Sequence, residues 1–274
     1  MKKLFRLFFF CVVVGSMTAC EEVIDLDLGN SQPKIVMEGL ITTDTGPYQL
    51  TISQSVDFGE TNDFPPVVGA VVTVTDEDGN SEVFREAADG VYNTIDLQGE
   101  RGKTYRMDVE YAGEFYSARS TIPGTRVPID SLAYEFMEES LFVKEGYYIT
   151  AYLTDPAIEV NYYRIKVFVN GEPYYFEIGD NTFKDDNLWY FNDQFFDGKQ
   201  MDIEFPHTLQ VGDKVELELY QVDKSTYDYY RTLGELGGIG GVAPANPLSN
   251  WSNEALGYFG AVSVEYASLV IEEK

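Results

Sequence analysis

The sequence predicts an all-β protein built of two antiparallel β-sandwiches, Ig-like or transthyretin-like, with one short helix near the C-terminus. Three observations predict it. Short runs rich in Val, Ile, Thr, Tyr and Phe alternate apolar and polar residues at the period of two that a half-buried strand requires. Gly, Pro, Asn and Asp punctuate those runs at hairpin distances. Only one segment carries a helical apolar period, and no longer repeat suggests a solenoid or propeller.

The elements follow in chain order. Lys2, Lys3 and Arg6 precede an apolar run, Leu7 to Val14, that closes at Met17-Thr18-Ala19-Cys20. That run is far shorter than the roughly 20 residues of a membrane-spanning helix. It fits a signal peptide over residues 1–19. Small residues directly before a cysteine form a lipobox, so the mature chain is expected to begin at Cys20, acylated on its sulfur and amino group. Two or more acyl chains, at about 0.8 kcal/mol per buried CH₂, anchor stably where one is marginal. Residues 20–32 then read as an acidic tether carrying Glu21, Glu22, Asp25 and Asp27.

A first sandwich is expected over 33–123. Ile35 to Ile41 and Tyr48 to Ser53 are strands separated by the turn Asp44-Thr45-Gly46-Pro47. Ala70 to Thr75 meets Asp76-Glu77-Asp78-Gly79-Asn80 and resumes at Ser81 to Arg85, a hairpin by its turn chemistry. Gly90 to Thr94 follows, and then Thr104 to Val109 turns at Ala112-Gly113 into Phe115 to Ala118. Pro123, Gly124 and Pro128 cannot continue a ladder, so 124–128 reads as a linker.

The second β-rich block spans 129–274. Strands are expected at Tyr147 to Leu153, at Tyr162 to Val169 with an Asn170-Gly171 turn into Tyr174 to Ile178, at Lys214 to Tyr220, and at Ala261 to Tyr266. The helix is expected over 225–236, capped by Ser225, with Tyr229, Leu233 and Leu236 on one face.

Composition narrows the function. Phe and Tyr number 18 and 20 and apolar residues make up 44%, enough for a folded core. Without Lys2, Lys3 and Arg6 the balance is 16 basic to 46 acidic residues, a formal charge of -30. A field of that sign repels phosphates, so nucleic acid and anionic lipid are excluded as expected partners. Cys11 leaves with the leader and Cys20 is the lipid site, so no disulfide is expected. His207 is the only histidine, and no Gly-x-Ser-x-Gly elbow accompanies it, so a His-based metal site or serine triad lacks its parts and His207 reads as a surface residue. No catalytic residue, metal or cofactor is expected.

The remaining constellations each have a plain reading beside the functional one. Asp76-x-Asp78-x-Asn80-x-Glu82 opens like a Ca²⁺ loop, but Ser81 stands where the sharp-turn glycine belongs and Ala87 at the twelfth position, so it reads as a hairpin turn. Gly237-Gly238-Ile239-Gly240-Gly241 follows a helix instead of opening one and cannot cradle a phosphate. Trp189, Tyr190 and Phe191, with Phe195-Phe196 nearby and Trp251 later, are the candidate partner or ligand contacts, since such residues dominate binding hot spots as well as sandwich cores. The acidic segment around them, Asp180 to Asp197, reads as a solvated loop, a cation site or a carbohydrate-binding edge. Two facing acids about 5–9.5 Å apart would suit a glycosidase, the basis of a hydrolase alternative.

Several motifs together resemble one family. The Val36-to-Gly39 opening strand, Gly69-Ala70-x-Val-x-Val, Gly90-x-Tyr92, Gly102-x-x-Tyr105, Tyr227-x-Tyr229-Tyr230, Asn246-Pro247, Ser249-Asn250 and Leu256-Gly257-Tyr258-Phe259-Gly260-Ala261 look like the Bacteroidota lipoproteins grouped as DUF4249, a domain of unknown function. The acids after Cys20 likewise resemble the signal that exports Bacteroidota lipoproteins to the outer face of the outer membrane. The resemblance implies a surface lipoprotein accessory to a TonB-dependent transporter, capturing its substrate or helping to assemble the complex. A structural or adhesive surface module is the alternative. Trp251 stands where the family pattern suggests a smaller aliphatic residue, which marks its loop for a local use.

Overall fold

The computed structural model describes residues 32–56, 63–141, 143–157, 159–174, 177–178, 181–182, 190–236 and 246–273. The architecture belongs to one compact unit, Pro33–Val56 with Thr61–Lys274. Its first strands are β1 (Ile35–Thr42), β2 (Gln49–Gln54), β3 (Val71–Asp76), β4 (Ser81–Val83), β5 (Arg85–Ala88), β6 (Val91–Asn93), β7 (Thr104–Tyr111) and β8 (Glu114–Thr121). Then come β9 (Ile129–Met137), β10 (Gly146–Thr154), β11 (Tyr162–Val169), β12 (Glu172–Pro173), β13 (Glu177–Ile178), β14 (Asn181–Thr182) and β15 (Tyr190–Asn192). The chain closes with β16 (Gln200–Leu209), β17 (Lys214–Val222), the helix α1 (Lys224–Leu236) and β18 (Leu256–Val270).

The fold is all-β. A nine-stranded sheet runs β12-β11-β17-β18-β1-β2-β6-β5, with β15 added beside β11. Two smaller sheets back it: β4-β3-β7-β8 over one half and β16-β10-β9 over the other. Alternation builds both cores. In the first, Met37, Ile41, Leu50, Ile52 and Tyr92 meet Val72, Val74, Met107 and Val109. In the second, Tyr163, Ile165, Leu217 and Leu219 meet Ile149, Ala151, Leu153 and Met201. Each Val, Leu, Ile or Met among them taken fully from water contributes about 1.5–3 kcal/mol.

The two cores share a sheet, which corrects the expected division at 124–128. β18 pairs parallel with β1, Val36 opposite Leu256 through Thr42 opposite Val262, and antiparallel with β17, Gln221 opposite Ser263 through Lys214 opposite Val270. The C-terminal strand therefore completes the N-terminal sandwich, where Phe259 and Ala261 are buried, and Ile271 beyond it enters the second core. That parallel pair is also the exception to an otherwise antiparallel ladder.

Local chemistry explains several joints. Asn170 and Gly171 both have positive φ (54° and 84°), as a two-residue primed turn requires. The run expected as one strand over 81–85 changes sheets: β4 pairs β3 and β5 pairs β6, with Phe84 buried between them. The helix cap is Asp223 and not Ser225: Thr226 N donates to Asp223 Oδ1 at 2.9 Å. The other carboxylate oxygen of Asp223 accepts from Ser120 Oγ at 2.8 Å and Thr121 N at 3.1 Å, tying the helix start to β8. The inward face of α1 carries Thr226, Tyr229 and Tyr230, with Leu233 half-buried; the side chain of Leu236 lies outside the described residues.

Candidate functional site

Among the described residues, the expected aromatic contacts Tyr190, Phe191 and Trp251 are buried or half-buried. Trp251 is 6% exposed, stacks obliquely near Phe259 with ring centroids 6.2 Å apart, and donates its indole N–H to Met37 O at 3.1 Å. It is a core residue held under β1, and the local use expected of its loop is structural: Ser252 N donates to Ser117 O at 2.9 Å, and Asn250 Nδ2 to Phe259 O at 2.7 Å. Phe191 is half-buried against Tyr163, 5.3 Å between centroids. Tyr190 leans edge-on toward Tyr227 at 6.1 Å, beside Gly234, where any Cβ would strike its hydroxyl. Trp189 lies outside the described residues. Within the described part of that stretch, the aromatics that face solvent are Phe195 and Phe196, 77% and 40% exposed.

Next to them lies the candidate site. Asp155 follows the end of β10, and Asp193 and Asp197 sit in the turn after β15. Carboxylate oxygens of the three lie within 4.8 Å of one another. A recess of about 480 Å³ opens beside them, lined by Ala157, Glu159, Val160, Asn192, Asp193, Gln194 and Asp197. That volume falls in the range of small-molecule sites. Asp155 and Asp193 are each 2% exposed, and much of their capacity is spent inside the fold. Asp155 accepts from Tyr163 Oη at 2.5 Å and Gly198 N at 3.1 Å; Asp193 Oδ2 accepts from Asn161 N at 2.7 Å. Burial raises the Asp155 carboxyl above its ordinary value, and the charges of Asp193 and Asp197 push the same way. Asp155 in turn holds the already buried Tyr163 hydroxyl far from ionisation.

Three hard oxygen donors at this spacing are part of what a cation such as Ca²⁺ takes, though it needs six to eight. The sequence marked Asp193 and Asp197 within its acidic segment. It gave no sign of Asp155, which joins them only because β10 and β11 meet at Asp155 and Tyr163.

A second constellation was legible only as motif residues. Tyr229 Oη donates to Glu38 Oε1 at 2.9 Å, Tyr230 Oη to Tyr258 Oη at 2.5 Å, and Tyr229 stacks on Tyr258 at 4.6 Å. Arg164 is 5% exposed, donates to Tyr230 Oη at 2.9 Å, and lies over its ring at 4.2 Å. Burial, with Glu38 beside it, raises the Tyr229 hydroxyl well above its ordinary value. This cluster seats α1 on β18 and β1, so the tyrosines of the family motif serve packing.

The Asp76–Glu82 segment is a hairpin turn. Asp76 Oδ1 accepts from Asp78 N at 3.0 Å and Asn80 N at 2.9 Å, and the Lys103 ammonium lies 3.5 Å from Asp76, 3.2 Å from Asp78 and 3.0 Å from Glu100. A lysine thus holds the position a cation would take. The His207 backbone belongs to β16, and its side chain lies outside the described residues, as does Cys20.

Fold and site together define an all-β sandwich protein with a carboxylate-lined recess at one sheet junction. The family model for the domain of unknown function DUF4249 matches residues 21–267, and the chain belongs to that family. No curated protein matches it. Among solved structures, the adhesin InvE of Yersinia pseudotuberculosis is similar at 16% identity over 70% of this chain, with a TM-score of 0.21. The chain spans 58% of that protein, and a likeness at this level carries no argument.

Proposed function

We propose that the protein is a non-catalytic, lipid-anchored lipoprotein of a Bacteroidota outer membrane, facing the cell exterior, that captures substrate for a TonB-dependent transporter. The observation that carries this reading is the basic and apolar leader ending in Met17-Thr18-Ala19-Cys20, followed at once by an acidic run. Acyl chains on Cys20 supply the anchor. Membership of the DUF4249 family supports the transporter association through the resemblance already drawn. The recess beside Asp193 supports capture over assembly alone, because its exposed Glu159 and Asp197 offer carboxylates to a small polar ligand.

The test is isolation of the native protein from its outer membrane in mild detergent, with Cys20→Ala as control and identification of what remains bound. A stoichiometric TonB-dependent transporter is expected with the anchored form. Recovery of the protein alone in several detergents would overturn the accessory role.

A further inference from the structure

The described unit has two ends, and they differ in how the anchor can reach them. β1 begins at Ile35 opposite Gln54 at the end of β2, and Val36 lies opposite Leu256 at the start of β18. Lys34 O accepts from Ser55 N at 2.8 Å, and Gln54 N donates to Pro65 O at 2.9 Å, which places segment 63–70 at that end. Asn253, shortly before β18, donates from Nδ2 to Glu114 Oε2 at 3.1 Å, which brings the β7–β8 hairpin there too. The chain toward Cys20 leaves from this same end, at Pro33.

Four large apolar side chains gather there. Phe64 and Val68 are each 52% exposed, Val71 is 53% and Phe115 is 67%. Val71, Glu110 and Phe115 are successive cross-strand partners and share the outer face of their sheet, while Val72, Val109 and Tyr116 fill the inner one. Exposed apolar residues also occur elsewhere, Leu141 at the β9–β10 connection being 88% exposed. That connection lies toward the other end: Glu272, just past β18, donates its N–H to Tyr134 of β9.

Chain length separates the two ends. Residues 20–32 number 13 and span at most ~45 Å fully extended. The 15 residues of β18 run roughly 50 Å. Because the chain toward Cys20 leaves at the β1 end, acyl chains on Cys20 keep that end within reach of the bilayer at any extension of the tether, whereas the far end would need the tether almost fully extended. An apolar patch rimmed by polar groups marks an interaction surface, and here the surface within reach is lipid.

We infer that Phe64, Val68, Val71 and Phe115 form a bilayer-docking surface that seats the body on neutral, zwitterionic lipid beside its own anchor. Glu110 and Glu114 interleave with them, so docking is shallow, at the headgroup level, and anionic lipid weakens it. This rests on the lipoprotein reading, yet its test is independent of native acylation, because Cys20 is the single cysteine of residues 20–274.

The experiment couples Cys20 of the chain beginning there to maleimide lipid in phosphatidylcholine vesicles and compares amide exchange with the same chain capped by a soluble maleimide. Exchange at 63–71 and 111–116 is expected to slow about threefold or more on vesicles, with none at 138–141. The Val71→Ser/Phe115→Ser variant, altered only at exposed positions, is expected to lose that protection. Unchanged exchange at 63–71 and 111–116, or equal protection at 138–141, would overturn the docking surface. So would protection that appears only when a transporter is added, which would make the patch a protein contact. The mass of the native N-terminal peptide tests the lipoprotein reading separately.

Discussion

At the residue scale, Trp251 is a core side chain, 6% exposed, with its indole N–H donated to Met37 O. Trp251 looked like a contact residue because nothing in its loop signals burial; only the return of 249–255 under β1 takes it from water. Trp251→Ala is expected to cost about 3–5 kcal/mol, against a change within about 0.5 kcal/mol for the exposed Phe115→Ala, both read from urea unfolding. Glu265 shows the same dependence on distant neighbours. Arg126 donates to both its oxygens, at 2.7 and 2.6 Å, and Arg101 reaches Oε1 at 2.6 Å. The hydrogen bonds from Arg126 lead the lowering of its carboxyl below the ordinary 4.5, with the charges of both arginines adding to it. The unfolded chain then binds the proton more readily, so this group contributes stability above pH 4.5 that is lost as pH falls through its folded value. Glu265→Gln is expected to cost about 1 kcal/mol at pH 7, a small sum because Arg126 is solvated. The deficit should shrink as unfolding is followed toward acid, and an equal deficit at pH 3 and 7 would contradict the assignment.

At the element scale, period-two alternation and turn chemistry made most strands legible, including the turns at Asp76–Asn80 and Asn170-Gly171. What stayed hidden was pairing across the chain. No local signal places Leu256 beside Val36, and the sheet change at Phe84 interrupts a run that reads as one strand. β9 and β16 were also missed: β9 is a sheet edge exposed on both faces in places, and Pro206 interrupts the alternation of β16, as edge strands allow. The β1–β18 junction has its own requirement. Gly257 has φ +87°, and a Cβ there would lie 2.2 Å from Met37 O. Gly257→Ala is expected to lower stability by roughly 2 kcal/mol or more, with exchange of the β1 amides accelerated before those of β10. Equal acceleration in both would contradict a local effect.

At the scale of the whole molecule, one long strand joins two cores, and the chain end that leads to Cys20 emerges beside the start of that strand. The acidic trio at Asp155 was half legible, since two of its members share a segment and the third arrives only through the meeting of β10 and β11. Residues 20–274 carry a formal charge of -30, and among the described residues no helix is long and apolar enough to cross a membrane. If Cys20 carries the proposed anchor, Cys20→Ala is expected to release the protein from membranes into the soluble fraction without loss of unfolding stability, since Cys20 is not part of the compact unit Pro33–Val56 with Thr61–Lys274.

The proposed attachment turns on Cys20 being the lipidated first residue of the mature chain. Its most direct test is the mass of the N-terminal peptide of the native protein recovered from outer membranes. A peptide beginning at Cys20 and carrying a diacylglyceryl group and an amide-linked acyl chain is the predicted result. An N-terminus elsewhere, or Cys20 as a free thiol, would rule out lipid anchoring at Cys20.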